Sequence, residues 1–269
     1  PAIEGQFGPD VSVGMIREAV MKLGFRDMYE VSLGADFVSK NEGQELLEHY
    51  EAGEKMTTSC CPAFVSLIKK HYPQVLKYMS TTVSPMTATG RLIKAMHPDA
   101  VCVFIGPCIA KKSEVIDSIT FGGADYAMTY EELASMFEAK NIDPEECTET
   151  LQQGSKFGKQ YSVSGGVTAA VLETFKEANK EVDLKVKTCS GAQECKKALM
   201  LLKVGKLPED FIEGMACVGG CVNGPAMLGK SRTFLKDRNG QIAKADDRGV
   251  LENVAQYDEY GINMTRNHQ

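Results

Sequence analysis

Val101-Cys102-Val103-Phe104-Ile105-Gly106-Pro107-Cys108-Ile109-Ala110-Lys111-Lys112 carries the pattern from which the fold follows. Five apolar residues in a row, closed by Gly-Pro, read as a buried strand of a parallel sheet ending in a loop. Cys108 then sits just past a strand end, where open α/β sheets gather their ligands. The same arrangement recurs downstream, where a strand over 211–216 runs into Cys217-Val218-Gly219-Gly220-Cys221. Upstream, Thr58-Ser59-Cys60-Cys61-Pro62 leads into a helix over 62–72, with Pro62 suited to the first turn and Pro73 ending it.

Around these loops, short apolar strands alternate with amphipathic helices, which predicts an α/β fold with mostly parallel sheets flanked by helices. Asp10 is expected to cap a first helix carrying Val13, Ile16, Val20 and Leu23, with Gly24 as its stop. Further helices are expected over 41–50, 85–96, 166–178 and 192–204, and further strands over 28–33, 127–129 and 184–188. Thr129 and Glu132 have the spacing of a capping box. Beyond Gly229 the chain turns polar, Arg238-Asn239-Gly240 reads as a hairpin turn, and 246–269 has little to bury. The expected division is a domain over 1–228, in two lobes of roughly 1–100 and 101–228, followed by a peripheral extension over 229–269.

The bulk numbers exclude several classes. With 269 residues, 43% hydrophobic and 25% charged, the chain has the composition of a globular protein able to bury a sizeable core. A net charge of -6 without a block of like charges gives no field for a polyanion, so nucleic acid is not an expected partner. No apolar run approaches a membrane span and no leader pattern opens the chain, so a cytoplasmic setting is expected. Pro1 in place of Met suggests a segment of a longer polypeptide. Nine widely spaced cysteines, an odd number, suit metal or free thiols rather than a disulfide scaffold.

Four of those cysteines stand apart. Cys61, Cys108, Cys217 and Cys221 lie in three separated motifs, and four soft thiolates are the usual complement of a four-iron, four-sulfur cube. Gly219-Gly220 lets the backbone curl tightly between the last two. By contrast, Cys102, Cys147, Cys189 and Cys195 read as buried core thiols, although the last two are close enough in sequence to share a metal.

Thr-Ser-Cys-Cys-Pro, Pro-Cys-Ile-Ala-Lys-Lys and Met-Ala-Cys-Val-Gly-Gly-Cys, in that order, resemble the three signature motifs of the iron-iron hydrogenases, and the resemblance runs from Pro1 to about Gly224. It implies a two-lobed fold with the cluster site between the lobes. It also implies a 4Fe-4S cube held by Cys61, Cys108, Cys217 and Cys221, with the Cys221 sulfur bridging to a two-iron subsite that carries carbon monoxide, cyanide and azadithiolate. The reaction implied is interconversion of dihydrogen with protons and electrons. Lys111 matches the lysine that pairs with a cyanide ligand. An ammonium about 4 Å from an anionic group gains ~4 kcal/mol at an effective dielectric near 20, whereas one of two adjacent lysines would ordinarily face water.

Cys60 matches the family thiol that exchanges a proton with the azadithiolate. Glu42, Glu45 and Ser80 align with the rest of the proton relay, although acidic residues on a helix are ordinarily solvated. Glu114 aligns with a family glutamate, a structural salt bridge being its other reading. Pro1, Ala2, Gly106, Pro107 and Met215 align with the pocket lining.

The chain departs from catalytic members at three places. Gly106 replaces a methionine, which is expected to open room beside the two-iron site. Ala2 stands where some members have serine, and Asn223-Gly224-Pro225-Ala226-Met227 replaces a Gly-Gly-Gly-Gln-Pro run. These departures resemble the hydrogen-sensing branch, with modest turnover. The implied partners are dihydrogen and protons, maturation enzymes, and a ferredoxin-like domain or protein for electrons. The other class of reading is a hydrogenase-like iron-sulfur carrier or assembly protein without the two-iron subsite.

Overall fold

The computed structural model describes residues 2–117, 120–229 and 232–266. Along the chain run α1 (Val13–Lys22), α2 (Val31–Glu51), β1 (Met56–Thr57), α3 (Pro62–His71), α4 (Pro85–Met96), β2 (Val103–Ile105), α5 (Ala110–Glu114), β3 (Tyr126–Met128) and α6 (Tyr130–Ala139). There follow α7 (Lys156–Gln160), α8 (Gly166–Glu177), β4 (Val186–Ser190), α9 (Ala192–Lys203), β5 (Phe211–Met215), α10 (Arg232–Ile242) and α11 (Val250–Ala255).

The strands form two small parallel sheets, one in the order β1-β5-β4 and one pairing β2 with β3. Because the strands are parallel, helices must cross between them, and the expected α/β layering results. The β5 strand is buried along its whole length. The β2–β3 pair is not the buried strand that the apolar run suggested. With only two strands it leaves Val101 69% exposed and Tyr126 62% exposed.

Three other expectations give way to packing. The first helix is capped by Ser12, not Asp10: Ser12 Oγ accepts from Met15 N at 3.2 Å while Met15 Sδ accepts from Ser12 N at 3.4 Å. Residues 28–33 do not form a strand. They lead into α2, a 21-residue helix packed against α4, α7, α8 and α11. An enclosed helix has no single apolar stripe, and α2 buries Ser32, Asp36, Ser39 and Glu42 among its apolar residues, which hides its period. Burial raises the Asp36 carboxyl to about 7, with hydrogen bonds from Ser155 and Asn253 partly offsetting it. Gly34 permits the crossing with α4, since a Cβ there would lie 2.3 Å from Pro85 O.

The third difference is the C-terminal segment. Arg238-Asn239-Gly240 lies inside α10 rather than in a turn, and the Arg238 side chain is 1% exposed, its Nη2 donating to Lys159 O at 2.6 Å and Ser162 Oγ at 3.0 Å. Tertiary anchoring has overridden the local turn preference. Nor is 246–266 peripheral. Val250, Asn253 and Val254 are buried where α11 meets α2 and α8, and Glu177 accepts from Val250 N and Leu251 N at its start.

Candidate metal and proton-transfer site

Each cysteine motif follows the C-terminal end of a strand. β1 leads to Cys60 and Cys61, β2 to Cys108, and β5 to Cys217 and Cys221. Pairing continues past β1 through Thr58 N donating to Ile212 O, and past β2 through Gly106 N donating to Met128 O, so the loops leave the sheets in fixed directions. The third loop needs its glycines: Gly220 has φ +97°, and a Cβ there would lie 2.4 Å from Ser162 O. The 162–164 segment grips this loop, with Ser164 N donating to Gly219 O and Val222 N donating to Ser162 O. Glu213 in turn fixes that segment, its carboxylate accepting from Gly165 N, Thr168 N and Thr168 Oγ1 at 2.7–2.8 Å.

Cys60, Cys61, Cys108, Cys217 and Cys221 lie on the wall of one cavity of about 930 Å³, and Cys102, expected as a core thiol, lines it too. Lys111, Ala2, Gly106, Pro107 and Met215 line it as well, whereas Pro1 lies outside the described residues. Burial pushes the Cys221 thiol far up, and the proximity of Cys61, Cys108 and Cys217 adds to the shift. Burial also raises Cys108, against the pull of Lys111. Among the described residues no trio of His, Cys, Asp or Glu side chains gathers tightly enough to chelate a single metal ion. Cys61, Cys108 and Cys217 nevertheless lie within electrostatic reach of Cys221 on the same cavity wall, and four soft donors of this kind could hold an iron-sulfur cube. Cys102, Cys147, Cys189 and Cys195 are buried.

Beside Gly106 the expected opening is filled. A Cβ on Gly106 would lie 2.5 Å from Phe104 Cζ, so the aromatic ring two residues back already occupies the place of a longer side chain. Gly106→Met is expected to lower stability by about 1–3 kcal/mol through overpacking, and Phe104→Ala in the same chain to recover much of it. Chemical denaturation of the two variants checks this.

Lys111 faces inward and is 8% exposed, whereas Lys112 bridges to Glu132 at the surface. The Lys111 ammonium donates to Glu114 Oε2 at 2.6 Å and to Ser84 Oγ at 2.7 Å. Ser84 donates to Glu114 Oε1 at 2.5 Å, with Thr87 Oγ1 donating to the same oxygen at 3.2 Å. Glu114 is thus in a buried ion pair. Burial alone would raise its carboxyl, but Lys111 and Arg266 hold it below the ordinary range.

Behind Cys60, which is 8% exposed, lies a file of buried polar groups. Glu42 Oε1 accepts from Ser59 N at 3.3 Å, and its Oε2 is buried without a hydrogen-bond partner. Ser80 Oγ donates to Glu45 Oε2 at 2.7 Å and is also a neighbour of Glu42, while Thr81 N and Thr82 Oγ1 donate to Glu45 at 2.7 and 3.1 Å. The three-residue spacing of Glu42 and Glu45 on α2 accounts for their sharing one serine. Burial raises Glu42 to about 8, the Glu45 charge adding to it and the Ser59 amide opposing it.

A carboxyl raised on folding is bound to its proton more tightly in the native state, so its charge opposes folding. Stability is full below the ordinary value of 4.5 and declines as pH rises from there to about 8. Glu42→Gln is expected to flatten that decline, gaining stability at pH 8 but not at pH 4, as read from urea midpoints at both.

Several groups at the site were not legible in the sequence. Ser84 caps α4 by accepting from Thr87 N at 3.4 Å, and nothing in the sequence ties it to Lys111. Tyr161 is a buried cavity residue whose hydroxyl lacks a hydrogen-bond partner, and burial together with Cys60 pushes it well above its ordinary range. Glu213 and Arg266 lie far along the chain from what they hold. No local pattern signals any of them.

Comparison with known proteins agrees with the motifs. Residues 1–225 match the family described as iron only hydrogenase large subunit, C-terminal domain. The periplasmic [Fe] hydrogenase large subunit of Nitratidesulfovibrio vulgaris is 32% identical over 269 residues, covering 81% of this chain and 64% of its own length. The chain therefore spans under two thirds of that relative. The cytosolic Fe-S cluster assembly factor narfl of Danio rerio is 25% identical over 296 residues, covering 88% of this chain and 72% of its own. Among solved structures, HydA(deltaEFG), described for stepwise [FeFe]-hydrogenase H-cluster assembly, superposes with a TM-score of 0.76 at 23% identity, covering 96% of this chain and 84% of its own. That likeness concerns the fold. No helix among the described residues is long and apolar enough to cross a membrane.

Proposed function

Because the chain belongs to the family of C-terminal domains of iron-only hydrogenase large subunits, we propose that it interconverts dihydrogen with protons and electrons at an H-cluster, as a low-turnover, hydrogen-responsive member. The observation that carries this reading is that Lys111 and Cys60, the latter backed by Glu42, Ser80 and Glu45, line the same cavity as Cys61, Cys108, Cys217 and Cys221.

Cys61, Cys108, Cys217 and Cys221 would hold the 4Fe-4S cube, and Cys221 would also bind the two-iron subsite. That group, when bound, supplies the metal and the base at which dihydrogen is split or formed. The protein supplies anchoring and proton movement. Lys111 would offer a buried positive charge to a cyanide ligand of that group, with Glu114 and Ser84 holding the ammonium. Ala2, Pro107, Met215 and the Phe104–Gly106 pair shape the wall, and the family alignment adds Pro1.

The Cys60 thiol exchanges a proton with the cavity and passes it to Glu42. Its neutral form suits an apolar wall, where a lasting charge would be costly. Glu42, raised to about 8, holds a proton near neutrality and can still release it, which is the affinity a relay group needs. Ser80 accepts on one side and donates to Glu45 on the other, and Glu45 passes the proton outward. Electrons would reach the cube from a ferredoxin-like domain or protein, and maturation enzymes would install the two-iron subsite. The nine widely spaced cysteines suit a reducing cytoplasm, although the N. vulgaris relative is named periplasmic.

Support for the hydrogen-responsive role lies in Ala2, Gly106 and the 223–227 run. Support for the other class, an iron-sulfur assembly or carrier protein, lies in the similarity to narfl. Maturation followed by infrared spectroscopy tests the choice. Bands of bound carbon monoxide and cyanide, with slow hydrogen-deuterium exchange against water, are expected. An intact cube with those bands persistently absent would favour the assembly-type reading, and turnover as fast as in bulk catalytic relatives would remove the sensing role.

A further inference from the structure

The tail at 263–266 lies beyond the stretch matched by the family, yet it packs along the 81–83 segment that follows Ser80. Thr265 bridges antiparallel to Thr82, Val83 N donates to Met264 O at 2.8 Å, and Arg266 N donates to Thr81 O at 2.8 Å. Arg91 holds the tail from outside, its Nη1 donating to Asn263 O at 2.5 Å and Thr265 O at 3.0 Å. From this strap Arg266 turns inward and is 4% exposed. Its Nε donates to Thr82 O at 3.1 Å and its Nη2 to Ser59 O.

Those two carbonyls belong to different loops. Ser59 precedes Cys60, and Thr82 follows Ser80. Ser59 Oγ also donates to Thr82 O at 2.5 Å, so one guanidinium and one hydroxyl tie the two loops together. A guanidinium is a planar, pre-organised fork, so it fixes a separation that a flexible ammonium would not.

We infer that Arg266 is a positioning residue for proton transfer between Cys60 and the Glu42–Ser80–Glu45 file, its fork setting the spacing of the 59–60 and 80–82 segments. The inference rests on the hydrogenase reading above. A proton passes only between heavy atoms within hydrogen-bond reach, so a small drift of either loop breaks the file. The charged and titratable groups that face Glu42 are Glu45 from its own helix, Cys60 from the first cysteine loop, Tyr161 from the segment after α7, and Arg266 from the strap. Of these, Arg266 alone is cationic. Its charge favours the ionised carboxylate, opposing burial and Glu45.

The test uses Arg266→Gln and Arg266→Lys in the full chain, with two readouts. In metal-free protein, the infrared carboxyl band assigned by Glu42→Gln is titrated. Its midpoint is expected to move upward by about one pH unit in R266Q and to stay near the parent in R266K. In matured protein, hydrogen-deuterium exchange is expected to fall about tenfold to a hundredfold in R266Q and to recover only in part in R266K, which restores charge but not the fork. A folded R266Q protein that titrates and exchanges like the parent would overturn the inference. If R266Q fails to fold, R266K decides alone, since exchange equal to the parent would exclude a role for the fork. Absence of exchange in the matured parent would instead sink the hydrogenase reading, and the carboxyl titration would still report whether Arg266 governs Glu42.

Discussion

Replacing Cys60 with alanine is expected to cut hydrogen turnover by about 10²–10⁴-fold, the range that a positioned proton-transfer group supplies, while the iron signals of the matured protein stay as in the parent. The thiol stands between the cavity and the Ser59–Glu42 contact, and it is buried among Leu33, Phe37, Tyr161 and Met215. Alanine there removes a sulfur and little volume, so the fold and the neighbouring Cys61 remain. The defect is confined to the proton. Deuterium exchange and infrared spectra recorded on one preparation separate the two, and undiminished exchange would remove Cys60 from the relay.

Cys221→Ala is expected to do the opposite, leaving the relay intact and emptying the site of iron. The Cys221 thiol is raised by burial and by each of the other three candidate ligands. Losing an outer partner of a metal ligand ordinarily weakens binding about 10–100-fold, and losing the ligand itself should cost at least that. Iron and sulfide content after anaerobic reconstitution gives the answer, with Cys189→Ala as the control because Cys189 is buried in the core formed by α3, α9 and the β1-β5-β4 sheet. Full iron content in Cys221→Ala, or equal loss in Cys189→Ala, would contradict the assignment of the ligand set.

The relation between sequence and site follows from how each residue reaches it. Cys61, Cys108 and the Cys217–Cys221 loop sit within a few residues of the strand ends that aim them, and apolar runs closed by Gly, Pro and Cys record that in local sequence. Glu42 and Glu45 were singled out by the family resemblance, and their three-residue spacing on one helix lets both reach Ser80. Ser84, Glu213 and Arg266 were not legible, since each acts on a partner at least 27 positions away, from Ser84 on Lys111 to Arg266 on Ser59. The filled space beside Gly106 was missed for a related reason: replacement of a side chain by glycine is visible in sequence, but the ring of Phe104 turning into the gap is a packing event.

The sequence by itself determined the alternation of strands and helices, the cysteine loops and their order, and the kinship they imply, because these depend on periodicity, turn chemistry and ligand type over short spans. Only the tertiary structure decided that 28–33 enters a helix, that Arg238-Asn239-Gly240 lies within one, and that the last described residues tie the Ser59 and Thr82 loops beside Cys60. In each case long-range burial outweighs a local preference. Buried polar groups such as Asp36, Glu42 and Arg266 are tolerated only because distant segments supply their hydrogen bonds, and no local pattern records where those partners come from.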